Sequence, residues 1–184
     1  MSLSLLSILL GVAFAIPNVY GILKPEAFKK AATAFPRSNP WGYALIGLST
    51  LWFLYLVKQE DISDFAAYKT LMLWGFAAIG LGTAFYVKDF LAVRGAAVFM
   101  LLLAKLMVET ARWVDTPWRL VIVVWAYVLV VAGMWFTISP WRMRDFLLWN
   151  VRELKRLKTL CIARTAFCVM VILLGLTIYR TAPQ

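Results

Sequence analysis

Histidine is absent from this chain, and cysteine occurs only twice. Without imidazole there is no His-ligated haem, no His-based zinc or di-iron site and no Ser-His-Asp relay. Cys161 and Cys168 stand seven apart inside an apolar run, so they share one face of a helix and form no Cys-x-x-Cys redox pair. They read as two small buried apolar residues. A glycine-rich phosphate loop is also missing. The acidic cluster of Glu60, Asp61 and Asp64 is confined to a short turn and offers no metal site. No cofactor and no metal are expected, and no nucleophile–base set suggests an enzyme.

Acidic residues are scarce as well: 9 Asp and Glu face 19 Lys and Arg, a net charge of +10. In a soluble chain that excess would point to nucleic acid. Here the bases lie mostly in short connections between apolar runs. That placement points instead to anionic lipid head groups and to the charge rule of membrane insertion, with no nucleic-acid partner.

What remains is apolar. Hydrophobic residues make up 63% of the 184 positions, and the mean hydropathy is +0.80. Soluble domains are about half apolar, and a chain this short has too little interior to hide such an excess. The composition predicts an all-α polytopic membrane bundle in one domain, with about six transmembrane helices near 3–23, 41–57, 65–87, 90–114, 117–139 and 159–179. Residues 1–23 carry no charged side chain. They read as the first span, with a kink at Pro17 and Asn18, because the positive start of a signal peptide is missing.

Two connections look interfacial. Residues 25–36 place Phe28, Ala31 and Phe35 along one face, with Lys24, Lys29 and Lys30 toward head groups. Residues 142–158 set Met143, Phe146, Leu147, Val151, Leu154 and Leu157 at helical spacing, among Arg142, Arg144, Arg152, Lys155, Arg156 and Lys158. A basic amphipathic helix of this kind lies in the membrane surface and meets anionic lipid.

Orientation follows from the bases. The connections after the first, third and fifth spans, with their adjoining turns, hold four, two and seven Lys or Arg, thirteen in all. The opposite face holds Lys58, Arg112, Arg119 and Arg180, with Lys69 and Lys105 inside helices nearer that side. The thirteen-base side is expected to be cytoplasmic and both termini periplasmic, in a bacterial inner membrane. Trp41, Trp113, Trp118, Trp135, Trp141 and Trp149 fall near helix ends or in the surface helix, as an aromatic belt does. Trp52, Trp74 and Trp125 are deeper and read as packing.

The fourth span is unusual. Only ten uncharged residues separate Arg94 from Lys105, about 15 Å of helix, against a hydrocarbon core about 30 Å thick. Lys105 must snorkel, thin the bilayer or point into the bundle. Lys105, Glu109 and Arg112 follow i, i+4, i+7 and stack on one face, and Lys69 joins them if its helix packs alongside. Lys69, Arg94, Lys105, Glu109 and Arg112 are therefore the candidate intramembrane polar site. Gly75, Gly80 and Gly82 in the third span suggest close helix packing. Two functions fit. One is a non-enzymatic accessory or scaffold component that contacts anionic lipid, a partner membrane protein or a second copy of itself. The other is a small transporter or channel for an anionic solute, built on the charges of the fourth span.

Overall fold

In lipid a backbone must satisfy its own hydrogen bonds, and a helix does so within one segment. The computed structural model is all-helical among the residues it describes, 2–60, 63–87 and 89–181. Its α-helices are α1 (Leu3–Leu23), α2 (Pro25–Ala34), α3 (Asn39–Gln59), α4 (Lys69–Tyr86), α5 (Leu91–Arg112), α6 (Arg119–Ile138), α7 (Pro140–Val151), α8 (Leu154–Leu176) and the short α9 (Ile178–Thr181). Helices α1, α3, α5, α6 and the α8–α9 segment are long and apolar enough to cross a membrane. The 21 residues of α1 rise about 31 Å, one hydrocarbon thickness. Their outward faces are greasy: Leu51, Val124, Ile138 and Leu173 all stand more than half exposed. Lipid accepts such surfaces; water does not.

The expected third span differs from the sequence reading. A 3-10 turn occupies Ser63–Tyr68, and α4 begins only at Lys69. Tyr68 holds the cap position without a side-chain bond. The side chain of Asp64, with Asp61 and Lys88, lies outside the described residues. The first α5 bonds run from the Val93 and Arg94 amides to the Phe90 carbonyl, and Phe90 sits at φ 56, a left-handed conformation uncommon for a bulky residue.

The chain divides into two compact units. The first comprises 1–34, 103–131 and 144–184. Its seam is the antiparallel pair α1 and α8. Ser7, Gly11, Asn18 and Gly21 of α1 are buried, as are Leu157, Cys161, Cys168, Val171 and Gly175 of α8. Small residues let the backbones approach. A Cβ on Gly21 would lie 2.8 Å from the Cys161 sulfur, and one on Gly175 would lie 3.0 Å from the Ser4 carbonyl. The Ser4 hydroxyl donates to the Gly175 carbonyl at 2.7 Å. Trp125 of α6 stands edge-on to Phe14 and Phe167, with centroids 5.0 and 5.2 Å away. At the chain's C-terminal end the buried Tyr179 hydroxyl donates to the Trp118 carbonyl at 2.7 Å.

The basic helix expected over 142–158 is two elements. The chain breaks at Arg152 and Glu153, where Glu153 is extended (φ -120, ψ 133) and α8 begins. The reason lies in the seam. Leu157 is in phase with Cys161, Cys168, Val171 and Gly175, so the turn that carries Lys155, Arg156 and Lys158 belongs to the spanning helix. Leu157 and Cys161 bury with Val151, and Phe28 and Ala32 of α2 with Ile22 pack against them. Ala31, expected on the apolar face of α2, is exposed, as are Phe146 and Leu154 of the predicted stripe.

The second unit comprises 35–102 and 132–143. Here α3 runs parallel to α5 and antiparallel to α4. Gly42 faces Leu91, and a Cβ on Gly95 would come within 2.9 Å of the Ile46 nitrogen. The Ser49 hydroxyl donates to the Gly95 carbonyl at 3.3 Å, and Trp52 meets Phe99 edge-on. Phe53 meets Phe76 of α4 at 5.1 Å. Of the three α4 glycines only Gly80 is a close contact, against Thr50; Gly75 and Gly82 face open space. Trp74 is likewise outward, 72% exposed, and packs into no core.

Candidate functional site

The five polar candidates separate into three settings. Lys69 opens α4, and its ammonium donates to the Glu60 carbonyl at 2.9 Å. It closes the α3–α4 turn. Lys105 and Glu109 pair across one helical turn at 3.0 Å, with side chains 38% and 53% exposed. Arg112 is exposed one turn further and lies 5.5 Å from the Trp113 ring. These three follow one face toward the C-terminal end of α5, as their spacing requires, with Lys105 partly buried and Glu109 and Arg112 exposed. That same C-terminal end of α5 is held by Arg119, whose guanidinium donates to the Arg112 and Val114 carbonyls at 3.3 and 3.1 Å. Sequence reading missed that role, although a base just past a helix C-terminus is a known partner for its orphan carbonyls.

Arg94 is different. It lies in the first turn of α5 and lines a cavity of about 260 Å³ between α3, α4, α5 and the end of α6. Ser49, Thr50, Thr83 and Thr137 are the other polar residues of the wall; Ile46, Phe53, Phe76, Ile79 and Val98 supply most of the rest. The Nε of Arg94 is buried and has no hydrogen-bond partner among the described residues. The Thr83 and Thr137 hydroxyls donate to the Ile79 and Gly133 carbonyls of their own helices, each at 2.8 Å. The charge turned inward from the fourth span is thus Arg94, one turn from the helix start, while Lys105 sits in an ion pair.

The bases assigned to lipid contact also sort themselves. Arg142, Arg152, Lys155 and Lys158 are exposed. Arg144 holds Asp145 through Nε and Nη2 at 3.0 and 2.8 Å. Arg156 lies over the Trp149 ring at 4.4 Å, a cation–π contact. Arg164 donates to Asn150 Oδ1 at 3.0 Å. Asn150 is 3% exposed and gives its own amide to the Phe146 carbonyl at 2.8 Å. Nothing in the spacing of two polar residues fourteen apart announces that bond; the break at 152–153 creates it.

Within the first unit the pairing of α1 with α8 gathers charge at one end. Gly21 meets Cys161 there, so Lys24, Lys29 and Lys30 share that end with Arg152, Lys155, Arg156 and Lys158. Arg112, Arg119 and Arg180 belong to the other end, where Tyr179 meets Trp118, together with Glu109 and Asp115. No family model, no curated protein and no solved structure matches the chain.

Proposed function

We propose that this protein is a non-enzymatic membrane component that seats its basic end on anionic lipid. The carrying observation is the gathering of Lys24, Lys29, Lys30, Arg152, Lys155 and Lys158, all exposed except the half-buried Lys29, at one end of the α1–α8 pair. Each base near a charged leaflet contributes about 1 kcal/mol. By the same charge rule that end is cytoplasmic, and both termini are periplasmic in a bacterial inner membrane. In this reading α4 is a sixth span: its 18 residues rise about 27 Å, and Leu71, Trp74, Ile79 and Phe85 turn outward. The helices α2 and α7 lie at the membrane surface. The role is that of an accessory or scaffold subunit beside another membrane protein or a second copy.

A transporter built on Lys105, Glu109 and Arg112 has less support, since Lys105 and Glu109 already pair with each other. The test has two arms. A single cysteine at Lys155 is expected to react with a membrane-impermeant maleimide only from the cytoplasmic face; labelling of intact spheroplasts from outside would refute the orientation. In nanodiscs, the full chain is expected to unfold at higher temperature as phosphatidylglycerol replaces phosphatidylcholine. The variant R152Q/K155Q/R156Q/K158Q is expected to lose most of that difference, and an unchanged response would refute the lipid contact.

A further inference from the structure

Arg94 is a cation beside a cavity that brings it no countercharge among the described residues. Among the described residues it makes no ion pair or hydrogen bond, and no carboxylate lines its cavity. Ionisable groups inside a bundle are costly and are kept where they meet something. Its surroundings limit what that is. The Ser49, Thr83 and Thr137 hydroxyls are already donating to backbone carbonyls, so the donors left in the wall are the guanidinium and the Thr50 hydroxyl. A planar fork of N–H donors matches a phosphate or carboxylate oxyanion in two-point contact. Gly80 keeps room for Thr50, because a Cβ there would collide with the threonine side chain.

Size and depth narrow the ligand further. About 260 Å³ is the volume of roughly nine waters. That is enough for a phosphate and a few methylenes, and less than a drug-sized ligand takes. Arg94 stands three residues into α5, about 4.5 Å along the axis, level with Ile46 and Ser49 of α3 through the Gly95 contacts. Below it the walls turn apolar, with Phe53, Phe76 and Val98. A charged head at Arg94 with an apolar remainder along those walls fits an amphiphile that enters from the bilayer.

We propose that the Arg94 cavity binds a phosphate oxyanion, carried by the head group of an anionic phospholipid. Free phosphate offers the same oxygens, so the experiment separates the two sources. The site depends on the reading above only in taking α3, α4 and α5 as membrane-embedded, and it is separate from the basic end of α8.

The full chain is purified in a neutral detergent and titrated with dihexanoyl phosphatidylglycerol or with inorganic phosphate, and adducts are counted by native mass spectrometry. Wild-type protein is expected to take up one phosphatidylglycerol saturably, R94Q at least tenfold more weakly, and R94K between the two. V98F keeps the charge but fills the cavity, and is expected to lose binding as R94Q does, while both variants keep the wild-type melting temperature in detergent, which guards against a loss caused by misfolding. Inorganic phosphate that displaces the lipid confirms the shared site; saturable phosphate with no lipid uptake assigns the site to the free anion. R152Q/K155Q/R156Q/K158Q is expected to retain this one tight site. The proposal is overturned if neither probe binds wild type, if R94Q and V98F bind as wild type does, or if only the quadruple variant loses binding. That last outcome would leave the basic-end reading standing.

Discussion

Arg164 of α8 reaches back fourteen residues to place Nη2 3.0 Å from the Oδ1 of Asn150, fastening the end of α7 to the first turns of the last span. Asn150 is almost wholly buried, so its carbonyl oxygen has no water to fall back on. Removing one partner of a buried bond leaves the other unsatisfied, at a cost of about 1–3 kcal/mol. R164L is therefore expected to lower the stability of the detergent-solubilised chain by that amount, with N150L/R164L recovering part of it. A loss in the double variant equal to the sum of the N150L and R164L losses would show that the bond contributes nothing.

The α1–α8 seam makes an opposite prediction for glycines. At Gly175 a Cβ would press on the Ser4 carbonyl and Ile8, each 3.0 Å away; at Gly75 and Gly82 of α4 it would meet nothing. G175L is expected to destabilise by about 1–3 kcal/mol, the usual range for overpacking. G75A and G82A are expected to stabilise by about 0.5–1 kcal/mol through lost chain entropy in the unfolded state. Unfolding by SDS titration in mixed micelles reads all three.

The thiols Cys161 and Cys168 are free and buried on that same seam. A small maleimide is expected to leave both unmodified in the folded chain and to label both after SDS unfolding. Rapid labelling of either thiol under native conditions would mean that α1 and α8 separate.

For Lys105 and Glu109 the outlook is modest. The two side chains are 38% and 53% exposed, and an exposed i, i+4 pair couples by about 0.3–0.5 kcal/mol. A double-mutant cycle over K105M and E109Q is expected to return a coupling of that size. A coupling several times larger would place the pair in hydrocarbon, not among head groups.

Much of the fold was legible because lipid leaves a chain few choices. Runs such as 3–23 and 117–139 had to be helices, and their ends fell within a residue or two of the observed ones. The polar ends were legible too: Trp41, Trp113, Trp118 and Trp141 are exposed near helix termini. What failed were readings that needed a neighbour. The helix at 142–158 carried a plausible basic amphipathic pattern, yet its second half joined the last span because Leu157 had a place on the α1 seam. Gly75, Gly82 and Trp74 were taken for packing on composition alone, and they face outward. The seam glycines that do hold helices together, Gly21 and Gly175, stood in runs that looked like any apolar span.

The candidate site shows the same division. The sequence by itself determined that the fourth span carries more charge than a bilayer core tolerates, because ten uncharged residues are too few for its thickness. It also determined that the chain is helical and apolar enough to need lipid, since no other solvent accepts that composition. Which charge turns inward was decided only by tertiary structure. Periodicity places Lys105, Glu109 and Arg112 on one face of α5 but cannot say what that face meets. The packing of α3 and α4 on the start of α5, through Gly42, Gly80 and Gly95, put Arg94 beside a cavity, while Lys105 pairs with Glu109 along its own helix.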